Sequence, residues 1–183
     1  MGKRLAVLLA EGFEESEAIV PVDIAIRAGV EVTKVSVSGS GEVNGAHGIM
    51  VKADTKLSEL DADGIDMLML PGGMPGTVNL ESSEAVRDII LDVNNKGKYL
   101  AAICAAPRIL GAMGLLAGKK ATVYPGNEEY LKGADYDAAA KAVTDGRIIT
   151  ARGMGCAVEF GREIVTALVD AETARKVLDS IQY

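Results

Sequence analysis

The sequence predicts an α/β fold in which a mostly parallel sheet is covered by helices on both faces. Short segments that are apolar at nearly every position and bounded by Gly, Pro or Asp are typical of strands buried on both faces. They alternate with longer segments whose apolar residues recur at intervals of three and four, as on one face of a helix. This alternation favours parallel strands joined by crossover helices.

The individual elements follow from these patterns. The predicted strands cover residues 4–9, 31–37, 66–70, 98–103, 120–123 and 147–151, and the predicted helices cover residues 15–27, 83–94, 107–116, 157–168 and 171–180. Residues 41–54, GEVNGAHGIMVKAD, interrupt the alternation, and Asn44–Gly45 is a turn signal, so we expect a small antiparallel hairpin at an edge. The 183 residues contain no repeat or linker, which predicts a single domain over 1–183.

Composition excludes several classes of protein. A net charge of -7 and the absence of a basic stripe count against a nucleic-acid surface. No apolar run reaches the ~18 residues that a membrane span needs. The short N-terminal apolar run is followed by acidic residues, unlike a signal peptide. Two cysteines cannot form a disulfide framework, so we expect a reducing cytoplasm.

One cysteine lies at a predicted strand-to-helix turn. In YLAAICAAPRIL, residues 99–110, Cys104 follows an apolar strand, and a helix begins at Pro107, where proline is well tolerated. The small residues Ala105 and Ala106 suit a nucleophile elbow, a strained turn that presents a reactive side chain. The helix N-terminus favours thiolate, the nucleophilic form. A buried structural cysteine is the alternative.

Two further loops are predicted at the edge of the sheet where α/β proteins bind ligands, beyond the carboxyl ends of the strands. In EGFEESEAIVPVD, residues 11–23, Pro21 cannot donate to the carbonyl of Glu17, and a kink there would aim Glu17 into the cleft. Alternatively, Glu17 only complements the helix dipole. In LPGGMPG, residues 70–76, Gly72 and Gly73 let backbone N–H groups face a ligand, as an oxyanion site requires. An ordinary βα turn is the alternative reading of that stretch.

Taken in order, Glu17 before VPVD, the LPGG turn and the AAICAAP turn resemble the ThiJ/PfpI family of the class I glutamine amidotransferase-like superfamily, in the branch typified by the parkinsonism-associated protein deglycase. The resemblance extends from RLAVLLAEGFEESEA to TARGMGCAVEFG. It implies a flavodoxin-like three-layer sandwich, a homodimer and no cofactor. It also implies that Cys104 is the reactive cysteine, that Glu17 is hydrogen-bonded to its sulfur, and that Gly72, Gly73 and the N–H of Ala105 form the oxyanion site. A carboxyl group beside a thiolate is expected to have a raised pKa and to stay protonated.

Three residues depart from the family pattern or lie outside it. Tyr124, in ATVYPG, stands where many members carry histidine; its phenol is a poor base and is equally well explained as a packing aromatic. His47, the only histidine, is expected on the surface of the hairpin, unless it approaches a partner subunit's site. Cys156 either fits a helix cap or resolves an oxidised Cys104. Because Ala105 stands where the protease branch has histidine, we do not expect a Cys–His hydrolase, and scattered Cys and His residues do not predict a metal site.

The sequence therefore predicts a cysteine-dependent enzyme that acts on small α-oxoaldehydes, such as methylglyoxal, or on their early glycation adducts. In this glyoxalase or deglycase chemistry, Cys104 forms a hemithioacetal, Glu17 moves the proton, and the oxyanion turn holds the alkoxide. Two other functions stay open. The first is an oxidative-stress sensor whose Cys104 is readily oxidised, and the second is a chaperone or structural dimer that does not need Cys104.

Overall fold

The computed structural model describes residues 2–183, and Met1, which the predicted domain includes, lies outside the described residues. The strands are β1 (Arg4–Leu9), β2 (Glu31–Ser36), β3 (Glu42–Asn44), β4 (Met50–Lys52), β5 (Thr55–Lys56), β6 (Met67–Leu70), β7 (Tyr99–Ile103), β8 (Lys120–Ala121), β9 (Asp135–Tyr136), β10 (Ala142–Asp145) and β11 (Ile148–Ala151). The helices are α1 (Glu15–Arg27), α2 (Gly76–Ser82), α3 (Glu84–Asn95), α4 (Pro107–Ala112), α5 (Ala157–Leu168) and α6 (Ala171–Ser180).

Within residues 2–183, seven strands form one sheet in the order β10-β11-β7-β6-β1-β2-β5. Every neighbouring pair is parallel except β10 and β11. Leu70 pairs with Ala102, and Ile103 pairs with Ala151. The carboxyl ends of β6, β7 and β11 therefore lie side by side, at the edge where α/β sheets bind ligands.

Helices cover both faces of this sheet. On one face, Leu68 and its neighbours pack against α3 and α4 through residues such as Ile90 and Leu110. On the other face, Val7 and its neighbours pack against α1 and α5, which includes the fully buried Phe160. The helix α6 packs outside α1 and α5. This arrangement confirms the predicted flavodoxin-like sandwich. None of the helices in the described part of the chain is long and apolar enough to cross a membrane.

Long, strongly patterned elements match their predicted bounds. The helices α1, α5 and α6 and the strand β1 begin and end at the predicted residues. The side chain of Glu14 accepts a hydrogen bond from the N–H of Glu17 at 2.7 Å and caps α1, which continues through Pro21. The side chain of Ser83 caps α3 in the same way, at 3.3 Å from the N–H of Val86. Such caps satisfy N–H groups that lack an intrahelical partner.

Two predicted elements are shorter than expected. The helix α4 ends at Ala112 and not at residue 116, because Gly114 adopts a φ of 75° in the left-handed region. The strand predicted at 120–123 is the two-residue β8, which pairs with β9 and does not enter the large sheet. The reason is that β10, which the sequence did not predict, occupies that edge of β11. The N–H of Thr122 donates instead to the Thr150 hydroxyl at 2.9 Å.

The antiparallel pair predicted within residues 41–54 is present as β3 and β4, but it forms its own two-stranded sheet. Asn44 pairs with Met50, so the connection is a loop over residues 45–49 and not a two-residue Asn44–Gly45 turn. Glu15 of α1 holds this loop by accepting hydrogen bonds from the N–H groups of His47 and Ile49, at 2.7 and 3.3 Å. The helix α2 was also not predicted.

Candidate active site

Cys104 occupies a sharp turn between β7 and α4. Its φ is 64°, and among residues 2–183 only Gln182 shares a positive φ without being glycine. A left-handed conformation is strained for a residue with a Cβ and persists only where contacts impose it. Here the N–H of Cys104 donates to the carbonyl of Ala151 at 2.8 Å, and its carbonyl accepts from the N–H of Tyr124 at 2.8 Å. The local geometry is that of a nucleophile elbow, with the thiol partly exposed.

Glu17 is a buried acid hydrogen-bonded to the Cys104 thiol. It is 1% exposed, and its Oε2 accepts from the N–H of Gly72 at 3.0 Å. The N–H of Met154 also donates to this carboxyl group. Burial raises the pKa of Glu17 to about 7, although its hydrogen bond with Cys104 acts in the opposite direction. Glu17 can therefore exchange a proton near neutral pH.

The electrostatics of the thiol differ from the expected ionised sulfur. Burial, together with the negative charge of Glu17, raises the pKa of Cys104 to about 12. The N–H groups of Ala105 and Gly73 donate to the sulfur and lower this pKa. Two acids in such close contact titrate as a pair. Between about pH 7 and pH 12 the pair holds one proton and one negative charge, so a proton that leaves the sulfur can be received by Glu17.

The glycine turn after β6 packs directly against this pair. A Cβ added to Gly72 would lie 2.6 Å from Oε2 of Glu17 and 2.7 Å from the Cβ of Cys104, so the position admits no side chain. Gly73 has a φ of 92°, which favours glycine. Since the N–H of Gly72 is engaged by Glu17, the N–H groups of Gly73 and Ala105 are the ones that converge at the sulfur. They are suitably placed to meet a negative oxygen beside it.

A cavity of about 780 Å³ lies next to the pair. Its wall includes Tyr124, Arg152, Gly153 and Met154. Two of these residues also hold the site, because the N–H of Tyr124 donates to Cys104 and the N–H of Met154 donates to Glu17. The Tyr124 side chain is 51% exposed and lies against Gly153. The structure thus places Tyr124 at the entrance, as its alignment with the family histidine suggested.

His47 is not brought to Cys104 within the chain. Its Nδ1 lies 2.8 Å from Oε2 of Glu15, and the hydrogen bond with this carboxylate raises the pKa of His47. Although burial acts the other way, the hydrogen bonds from His47 lower the pKa of Glu15 to about 2. Ligand atoms of Glu14, Glu15 and His47 lie within 4.8 Å of one another. The Glu15 carboxylate is already occupied by the His47 ring and by backbone N–H groups, so we assign no metal there.

Cys156 is buried and ends the short 3-10 turn Met154–Cys156 that precedes α5. It lines the cavity, and both cysteines are free thiols. A link with Cys104 stays a prediction. Sequence reasoning missed Arg152 and Met154, although both lie in the quoted segment TARGMGCAVEFG. Their position directly after β11, at the ligand-binding edge, was the available signal.

The fold and site together define a flavodoxin-like α/β protein with a cysteine at a strained strand-to-helix turn beside a buried glutamate. The DJ-1/PfpI family matches residues 3–167, and the chain belongs to this family.

Relatives of known name extend over nearly the whole chain. The Parkinson disease protein 7 homolog of Danio rerio is 37% identical over 179 residues, which cover 96% of this chain and 95% of that protein. A protein of Pyrococcus abyssi named as a deglycase is 35% identical, over 90% of this chain and 99% of that one. Among solved structures, Drosophila melanogaster DJ-1beta superposes with a TM-score of 0.94 at 34% identity, covering 100% of this chain and 98% of that one. Oxidized DJ-1 of Toxoplasma gondii gives 0.93 at 32%, covering 100% and 99%.

Proposed function

We propose that this protein is a cysteine-dependent enzyme that acts on small α-oxoaldehydes or on their early glycation adducts, of the glyoxalase or deglycase type. The observation that carries the proposal is the Cys104–Glu17 pair. A thiol on a strained turn is hydrogen-bonded to a carboxyl group whose pKa burial raises to about 7. A general base is most effective when its pKa lies near the working pH. The deglycase name of the Pyrococcus abyssi relative agrees with this class of chemistry.

The first step forms a carbon–sulfur bond. The Cys104 sulfur attacks the aldehyde carbon of methylglyoxal while its proton passes to Glu17, which lies in hydrogen-bond contact with the thiol. The carbonyl electron pair moves to the oxygen, where the N–H groups of Gly73 and Ala105 stabilise the negative charge. Glu17 then returns the proton to this oxygen, which completes the hemithioacetal.

The second stage needs only water. A proton moves from the former aldehyde carbon to the neighbouring carbonyl group, with Glu17 as the shuttle, and converts the hemithioacetal into a thioester of lactate. Hydrolysis of the thioester releases lactate and regenerates the Cys104 thiol. The net reaction is methylglyoxal plus water to lactic acid, and it requires no external oxidant or reductant. For an adduct, the amine or thiol that carried the aldehyde is the leaving group.

Lactate release from methylglyoxal by purified variants tests this proposal. Cys104→Ser is expected to lose turnover by at least ~100-fold, because a hydroxyl is a much weaker nucleophile at neutral pH. Cys156→Ser is the matched control, since it changes the other cysteine and leaves the pair intact; its rate should stay within a few-fold of wild type. Undiminished lactate production by Cys104→Ser would rule out the mechanism.

A second function is favoured by the N–H groups of Gly73 and Ala105, which already converge at the sulfur. They are suited to hold the oxygens of a sulfinic acid, so Cys104 would also serve as an oxidation sensor. The oxidized Toxoplasma gondii relative is in line with this role. Mass spectrometry after mild peroxide should find oxygen added at Cys104 and not at Cys156. Equal oxidation of the two cysteines would contradict a sensing role.

We further propose that the protein works as a homodimer in the reducing cytoplasm. Ile19 of α1 is 40% exposed, and Ile49 and Met50 beside β4 are 59% and 55% exposed. These side chains lie close together because Glu15 of α1 binds the N–H of Ile49. An apolar patch of this kind is typical of a contact surface. Light scattering should give a dimer mass for wild type and a monomer mass for Met50→Glu; a monomeric wild type would exclude the assembly.

A further inference from the structure

We propose that the cavity beside Cys104 binds the anionic group of its substrate through Arg152, so that the enzyme prefers α-oxoaldehyde adducts that carry a carboxylate. This inference rests on the proposed function, because it names the substrate class of that site. Its evidence comes from the position, charge and size of the cavity.

Arg152 lies beside the reactive cysteine. It follows β11 directly, and Ala151 pairs with Ile103 in the adjacent strand β7. The N–H of Cys104 donates to the carbonyl of Ala151 at 2.8 Å, so Arg152 and Cys104 leave the sheet from neighbouring strands, ~4.8 Å apart. The Arg152 side chain lines the cavity together with Tyr124. A ligand that reaches the sulfur from this cavity therefore passes the guanidinium group.

The guanidinium group is available for a ligand. Among residues 2–183 it forms no ion pair, and its one protein hydrogen bond runs to the carbonyl of Ala138 at 3.2 Å. Lys141, the other cation of the cavity, is paired with the buried Glu159. Arginine binds a carboxylate through two parallel hydrogen bonds, which gives both strength and orientation. Arg152 is thus the cation that the cavity offers to an anionic substrate.

The size of the cavity favours an adduct over the free aldehyde. Its volume of about 780 Å³ falls within the range of about 300–1,000 Å³ that is typical of sites for ligands of drug-like size. Methylglyoxal is much smaller and would leave most of this space to water. An aldehyde adduct of an amino acid or a thiol fills more of it, with its reactive carbon at Cys104 and its carboxylate at Arg152.

One carboxylate of the cavity opposes an anion. Glu128 is exposed at the cavity and accepts hydrogen bonds from the N–H of Gly126 at 2.9 Å and from the hydroxyl of Tyr136 at 3.5 Å. These contacts engage its oxygens but leave its charge. Removal of the Glu128 charge should therefore strengthen the preference for an anion, whereas removal of the Arg152 charge should abolish it.

The experiment uses two substrates that differ by one charge. They are the hemithioacetals that methylglyoxal forms with N-acetylcysteine and with N-acetylcysteine amide. Wild type should process the carboxylate adduct with a kcat/KM about 10- to 100-fold above that of the amide adduct, through KM. Arg152→Gln should bring this ratio to about one, Arg152→Lys should retain part of it, and Glu128→Gln should increase it. A ratio that is the same in wild type and Arg152→Gln overturns the inference and leaves the proposed function standing.

A binding measurement separates the two proposals. Calorimetry on Cys104→Ser with N-acetyl-S-methylcysteine and with its amide measures recognition without chemistry. Tighter binding of the carboxylate compound, lost when Arg152→Gln is added, supports the inference even where wild type turns over neither adduct and the proposed function fails. Equal binding of the two compounds overturns the role of Arg152.

Discussion

Replacing Glu17 with glutamine isolates the effect of burying an ionisable group beside Cys104. The substitution keeps the shape of the side chain and an oxygen that can accept from the N–H of Gly72, which donates to Oε2 of Glu17 at 3.0 Å. It also mimics the protonated acid, because the amide donates toward the sulfur. The variant differs from wild type mainly in that position 17 cannot ionise.

The expected magnitude follows from the pKa of Glu17. This pKa rises from 4.5 to about 7 on folding, chiefly through burial. Between these pH values the folded state holds a proton that the unfolded state has lost, so wild type loses stability as the pH rises. Each pKa unit corresponds to about 1.4 kcal/mol. The free energy of unfolding of Glu17→Gln, minus that of wild type, should therefore rise by about 3 kcal/mol across this window and stay constant above it.

Urea unfolding of both proteins at a series of pH values from about 4 to 8 measures this difference directly, because the other titrating groups cancel. A difference that is independent of pH, or that falls as the pH rises, would refute the reasoning. Cys104→Ala supplies a control. The hydrogen bond with Cys104 lowers the pKa of Glu17, so its loss should extend the rise to higher pH when Glu17→Gln is made in that background.

Two further substitutions test other parts of the site. Glu15→Gln should show the opposite sign: the pKa of Glu15 is about 2, so its contribution to stability is present above pH 4.5 and disappears as the pH falls toward 2. Urea unfolding should find this variant less stable than wild type at pH 7 and closer to it in acid, and a constant gap would contradict the ion pair with His47. Gly72→Ala should lose about 1–3 kcal/mol of stability and most of its lactate production, because the new Cβ would lie 2.6 Å from Oε2 of Glu17. Gly41→Ala, whose Cβ meets nothing within 4 Å, is its control, and equal behaviour of the two would exclude the steric argument.

Sequence patterns predicted the elements whose residues carry a strong local signal. The bounds of α1, α5 and α6 follow from apolar residues spaced at helical intervals together with capping residues at their starts. The turn at Cys104 was predictable because small residues and Pro107 surround it, and the structure confirms it with a positive φ. The family resemblance supplied the pairing of Cys104 with Glu17, which spacing alone did not settle.

Edge strands carry weaker signals. The strand β10 is only partly buried and lacks a continuous apolar run, so its pairing with β11 emerges only when the sheet is assembled. The segment at 120–123 is apolar, and its pattern alone could not show that β10 already occupies the edge. The left-handed Gly114 that ends α4 is likewise a conformation, which composition permits but does not require.

The sequence by itself determined the layered α/β architecture and the strained cysteine turn, because both depend on residues that are neighbours along the chain. Only the tertiary structure decided that the thiol shares its proton with Glu17, that His47 binds Glu15, and that Arg152 faces the cavity without a charged partner among the described residues. Each of these depends on how deeply a group is buried and on which distant segments meet around it. Burial and long-range contact set the pKa values and the open charge of the site, and neither quantity is encoded in a local pattern.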